Sequence, residues 1–210
     1  MWGDAVSGRM LDARAAYEQL LTQQPYLTAA LPRDHHGIYM LWDHEGCPRY
    51  IGMADKDSFH KRIDGRHRGG SEENSHKFAA AYNTGRMWRD RKRLGQTIEG
   101  TMQAKEGAAA AKRVRMEFIR QHCHVTVLPM ASVPGTPYRE YVQALETSIQ
   151  SIAKPDHRAW ETQRVIRLEE PVALVDVLVD KMFLEGKLSE QECRLLEDQR
   201  SIHRRLRDSQ

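Results

Sequence analysis

The chain has 210 residues (24.2 kDa), with 40% hydrophobic and 29% charged side chains and a mean hydropathy of −0.68. That suits one domain, or one with an appendage, and excludes an integral membrane protein, because no stretch approaches the roughly 18 apolar residues that span a bilayer. Net charge is +3, yet residues 61–120 hold 15 Lys/Arg against 7 Asp/Glu and the remainder is mildly acidic, an asymmetry that suits a polyanionic partner.

Residues 1–10 contain no apolar run, so no secretory signal is expected. Cys47, Cys123 and Cys193 are odd in number and widely spaced, which argues against a disulfide scaffold and for a reducing cytoplasm. Residues 10–31 read as one helix or two, with Leu11, Ala15, Leu20 and Leu21 on a partial stripe that Pro25 interrupts. Next comes a β-hairpin. Ile38–Trp42 and Arg49–Met53 are its arms, joined by the turn-rich Asp43-His44-Glu45-Gly46-Cys47-Pro48. A turn centred near His44 and Glu45 would set Tyr39 opposite Tyr50, two phenols on one face, with Ile38 and Ile51 on the other.

Asp57 or Ser58 can cap a helix through Phe59, Arg62, Ile63 and Arg66 that ends at Gly69-Gly70. A short helix over 76–83 carries Phe78 and Tyr82, and residues 86–107 read as irregular and basic. Helix 108–121 turns Val114 and Phe118 inward and leaves Lys112, Arg113, Arg115 and Arg120 to solvent. Val125–Leu128 is a strand. Helix 138–154 buries Tyr141, Leu145, Ile149 and Ile152. The tail holds two more helices. Val172, Val175, Leu178 and Met182 stripe the first; Leu195, Leu196, Ile202 and Leu206 stripe the second, which Ser189 and Glu192 start as a capping box.

The hairpin arms carry Gly37-Ile38-Tyr39 and Tyr50-Ile51-Gly52. Either tripeptide arises by chance roughly once in several thousand positions at average composition; both, in order on two predicted strands, are specific. Residues 35–160 thus resemble the GIY-YIG nuclease family. Arg62 matches the family's arginine on the helix after the second tripeptide, and Glu146 its glutamate on a late helix, with Pro155 following. The departures are local. A histidine expected one helical turn after the arginine is displaced from Arg66 to His67; Met53 replaces a lysine; Asp156 and His157 stand where an asparagine is common.

The resemblance implies an α+β fold: a small mixed or antiparallel three-stranded sheet flanked by helices, with a helical insertion and a C-terminal helical hairpin. It divides the chain into a helical segment 1–34, a nuclease domain 35–160 with a basic insertion 86–121, and a helical extension 161–210. It also implies a magnesium- or manganese-dependent DNA endonuclease with Tyr39, Tyr50, Arg62, His67, His76 and Glu146 at the catalytic centre. Glu146 would hold the metal, which keeps most of its waters and bridges to phosphate. Arg62 would fork onto phosphate oxygens. Tyr39 would activate water and Tyr50 position it, roles that can be exchanged. A phenol near its ordinary pKa of about 10 is a poor base, so neighbouring cations (Arg62, His67, His76) would have to depress it. Lys61, Arg66, Arg68, Lys77, Arg86, Arg89, Arg91, Lys92, Arg93, Lys112, Arg113 and Arg115 would contact nucleic acid. A restriction-type enzyme leads, with homing, mobile-element, repair and toxin nucleases, or an inactive nucleic-acid-binding module, as alternatives. One centre cuts one strand, so cutting both needs a homodimer or two nicks.

Overall fold

The computed structural model describes residues 12–31, 33–70, 76–89, 102–132, 134–161 and 167–208. The chain is mixed α+β and forms two units, each from separated stretches: residues 1–69 with 120–165, and residues 70–119 with 166–210. The boundaries differ from those expected. The segment read as an insertion and the tail read as an extension belong to one unit.

The first unit is built on an antiparallel sheet in the order β1-β4-β2-β3. Its strands are β1 (Tyr26–Leu27), β2 (Gly37–Trp42), β3 (Pro48–Ala54) and β4 (His124–Pro129). There are four strands, not three. The extra one is two residues long, set against Val125 and His124 directly after Pro25, too short for alternation to reveal it. One face carries Ile38, Met40, Ile51 and Leu128. It packs against Ala16, Tyr17 and Leu20 of α1 (Ala13–Thr22) and Tyr141, Val142, Leu145 and Ile149 of α5 (Tyr138–Ile152). Ala15 is exposed and Ile152 is 44% exposed, contrary to the expected stripes. Ala16 and Ala153 take the buried places, each one position along the chain.

The hairpin register differs from expectation by two residues. Tyr39 pairs with Gly52, and Tyr50 pairs with Leu41. The cause is the turn. Buried Asp43 accepts the backbone N–H groups of Glu45 and Cys47 on Oδ1 and the Arg49 guanidinium on Oδ2, and a bulge follows Leu41. A shift of two preserves facing, so the two phenols still share the face opposite the core.

Covering that face is α2 (His60–Arg68), wound as a π-helix, with Phe59 and Ile63 buried. Its start is helped by Ser58, whose Oγ accepts the Lys61 N–H at 3.4 Å. Free at the outer edge of the sheet, β3 is capped at three successive outward positions. Trp160 N–H donates to the Arg49 carbonyl (3.0 Å), Gln150 Nε2 donates to the Ile51 carbonyl (3.0 Å), and the Glu146 carboxyl accepts from the Met53 N–H. Glu146 and Gln150 are one turn apart on α5, so a single helix face satisfies the edge.

The second unit contains α3 (Lys77–Ala81), most of α4 (Met102–His122), α6 (Val172–Leu184) and α7 (Glu190–Asp208). Trp88, Ala108 and Ile202 form a small core with Leu206 against it. Val175, Leu178 and Met182 are buried as expected, whereas Val172 is exposed. The capping box is present: Ser189 N–H donates to Glu192 Oε2 (2.9 Å) and Glu192 N–H to Ser189 Oγ (3.2 Å). Joining the two stretches is a knot of charge around Arg86. Buried, it donates to Glu170 Oε1 (2.6 Å) and the Val172 carbonyl (3.2 Å) and pairs with Asp176 (2.7 Å) and Glu197 (3.2 Å).

Candidate active site

Each motif glycine has a steric reason. Gly37 has φ +141°, and a Cβ there would lie 2.2 Å from the Leu128 carbonyl oxygen. Gly52 sits under the phenols, where a Cβ would come within 2.5 Å of the Tyr39 hydroxyl and 2.6 Å of Tyr50 Cε1. The two rings therefore approach across a bare patch of β3, their centroids 6.1 Å apart.

Tyr39 is fully buried, and its hydroxyl lies 2.7 Å from Nε2 of the equally buried His67. Arg62 and Tyr50 also hydrogen-bond to that hydroxyl. Tyr50 is the outer phenol and keeps some exposure. π-Winding is what makes this set possible. Its hydrogen bonds run i→i+5, and the wider turn rotates the residue five positions on toward the same face, where an α-helix would point it away. Arg62 and His67 are five apart and both reach Tyr39; the histidine displaced by one in sequence is restored by a helix wider by one.

Burial pushes the Tyr39 phenol well above its ordinary value of 10.0, and Tyr50 follows to about 12, with Glu146 adding to the rise. The expected depression by cations does not occur. Arg62 pulls both values down, but desolvation dominates. Glu146 is half-buried. Burial first, then Glu161 and Asp55, raises its carboxyl from 4.5 to about 7, against the opposing pull of Met53 N–H and Arg62. Arg62 is half-buried, and its buried Nε has no hydrogen-bond partner among the described residues, a donor held ready for an anion.

Tyr39, Tyr50, Arg62, His67 and Glu146 thus meet, carried by β2, β3, α2 and α5. His76 lies in the second unit, at the start of α3. Unpredicted, Asp55 and Glu161 join the carboxylate side. Asp55 directly follows β3, and Glu161 is held by the loop in which Trp160 caps β3. Gln150 could have been found from its spacing to Glu146; no periodic signal marks Glu161.

The basic residues divide. Lys61 and Arg66 are exposed on α2 and both pair with Asp57. Arg68 is paired with Asp64 (2.6 Å) and Arg113 with Glu192 (2.5 Å). Lys112 and Arg89 are half-buried. Three expected surface cations are buried instead: Lys77, Arg86 and Arg115. Arg115 donates to Asn83 Oδ1 (3.1 Å), which also accepts the Arg89 N–H (2.6 Å). A basic side chain on an otherwise apolar helix face can turn inward when a polar acceptor waits there, which periodicity cannot reveal. Arg91, Lys92 and Arg93 lie outside the described residues.

Compared with family models, curated proteins and solved structures, the chain has no match in any of the three. Among the described residues, no helix is long and apolar enough to cross a membrane.

Proposed function

We propose that the first unit is a divalent-metal-dependent phosphodiesterase centre of the GIY-YIG type that cuts DNA, within an enzyme of restriction type. The observation that carries this reading is the convergence on one hydroxyl, that of Tyr39, of His67, Arg62 and Tyr50, with Glu146 facing the outer phenol. Glu146 fits a hard cation: it is an oxygen donor beside two further carboxylates whose mutual repulsion a divalent ion relieves. When bound, Mg²⁺ or Mn²⁺ supplies Lewis-acid polarisation of the phosphate and a site for the leaving oxygen.

The protein's own groups then have definite tasks. Arg62, with its unpartnered Nε, binds the phosphate and stabilises charge gathering on it. Tyr50, the more exposed phenol, takes the proton of the attacking water. Its own proton passes to Tyr39, and that of Tyr39 to His67 Nε2 at 2.7 Å. No phenolate has to persist, so the raised phenol values are compatible with the chemistry. In this assignment Tyr50 meets water and Tyr39 relays.

The test is cleavage of plasmid DNA with Mg²⁺, Mn²⁺ or EDTA, with ends mapped on a sequenced substrate. Arg62→Ala and Glu146→Ala should abolish cutting. Ends at one short sequence support restriction; ends at junctions or flaps, or scattered ends, transfer the enzyme to repair or toxin classes. Salt-sensitive binding without any cutting by the wild type would make it a binding module instead.

A further inference from the structure

We propose that the outer face of α6 is an interface between two copies of this chain. Of the thirteen residues of α6, only Asp176, Asp180 and Lys181 are charged or polar. A helix apolar almost all round belongs inside a protein, covered on every side. Here one side is covered, through Val175, Leu178, Val179 and Met182. The other is not: Leu174 is 38% exposed, Phe183 47%, Val177 70% and Leu184 84%. Val177 and Leu184 are seven residues apart and lie on one line along the helix. Exposed Asp180 and Lys181 flank that line at mid-height, one on each side.

This charge pattern selects a second copy. With one acid and one base the stripe has no net charge, so a strongly acidic or basic partner gains nothing from it. Two copies of α6 set parallel about a two-fold axis place Val177 against Val177 and Leu184 against Leu184. The same axis brings the left flank of each helix to the right flank of the other, so Asp180 of each copy meets Lys181 of the other. An antiparallel two-fold pairing centred there brings like flanks together, Asp180 beside Asp180, and is disfavoured. An apolar seam of a few turns with two ion pairs is a small interface, so the dimer should have a roughly micromolar dissociation constant. The interface does not depend on the nuclease reading; under that reading it supplies the second centre that cutting both strands requires.

The experiment is sedimentation velocity of the full chain, without DNA, over about 1–100 µM. Wild type should be a dimer at the upper end. Val177→Lys and Leu184→Lys alter exposed side chains and should each raise the dissociation constant roughly tenfold or more. Asp180→Lys and Lys181→Asp each turn both ion pairs into like-charge contacts and should weaken the dimer as much. Combining Asp180→Lys with Lys181→Asp restores opposite charges and should return the dimer to within about threefold of wild type. Circular dichroism checks that each variant folds; should an apolar-site variant fail, the three charge variants decide alone. The proposal is overturned by a wild type that stays monomeric throughout, by a dimer indifferent to Val177→Lys and Leu184→Lys, or by a double exchange no better than the single changes. Plasmid cleavage is read separately: a wild-type dimer that does not cut removes the nuclease reading and leaves the interface standing.

Discussion

Glu146→Gln should stabilise the metal-free protein above neutral pH. The carboxyl titrates at about 7 in the folded chain against an ordinary 4.5, chiefly through burial. Between those values the native state binds more protons than the unfolded state, so stability falls as pH rises through the window. The penalty is negligible below the lower value and complete above the upper one. At roughly 1.4 kcal/mol per pKa unit it is under about 1 kcal/mol at pH 5 and about 3 kcal/mol at pH 8. Glutamine keeps an acceptor for the Met53 N–H and removes the charge, so it recovers most of that amount. Urea denaturation in EDTA at pH 5 and pH 8 measures it, and the variant should be the more stable protein by a margin that widens with pH. Mn²⁺ at one thousand times the dissociation constant should reverse the order, since wild type then gains about 4.1 kcal/mol. A variant that is destabilised at pH 8 in EDTA, or a difference independent of pH, would refute the assignment of Glu146 as a desolvated, cation-seeking carboxylate.

Three further outcomes are expected. Gly52→Ala forces a methyl against the Tyr39 hydroxyl and the Tyr50 ring, so it should cost about 1–3 kcal/mol and suppress cleavage; wild-type melting and activity would show that the rings can part freely. Arg86→Ala leaves Glu170, only 7% exposed, short of its strongest cation, and should cost about 3–5 kcal/mol in a denaturant titration; a loss below about 1 kcal/mol would mean that Arg86 is free to serve nucleic acid after all. Removing the relay acceptor by His67→Ala should lower kcat roughly 10²- to 10⁴-fold with KM for DNA unchanged; a rise in KM alone would make His67 a binding group.

Much of the site was legible because its determinants are local. The two tripeptides announce a hairpin, and alternation alone puts the phenols on the face away from Ile38 and Ile51. The register was not legible: it depends on Asp43 folding the turn around its carboxylate and on a bulge after Leu41, neither of which leaves a pattern. Buried Arg86 and Arg115 were misread for a different reason. Their partners, Glu170 and Asn83, lie 84 and 32 residues away, and charge counting treats every arginine as solvated. The interleaving of residues 70–119 with 166–210 likewise depends on contacts distant in sequence.

The displaced histidine joins local winding to function. On an α-helix, residues four apart share a face, and Arg66 would then stand above Arg62. Observed winding brings His67 there instead, while Arg66 turns outward to Asp57 with half of its side chain exposed. A π-turn is rare and weakly bonded, and here it carries the histidine that bonds the Tyr39 hydroxyl. Arg62 and Glu146 reach that hydroxyl region for equally mechanical reasons, Arg62 through the wide helix and Glu146 through the edge of β3. Substitutions that narrow α2 or unseat Gln150 from the Ile51 carbonyl should therefore act on chemistry before they act on stability, because the core face of Ile38, Met40, Ile51 and Leu128 is on the other side of the sheet from the phenols.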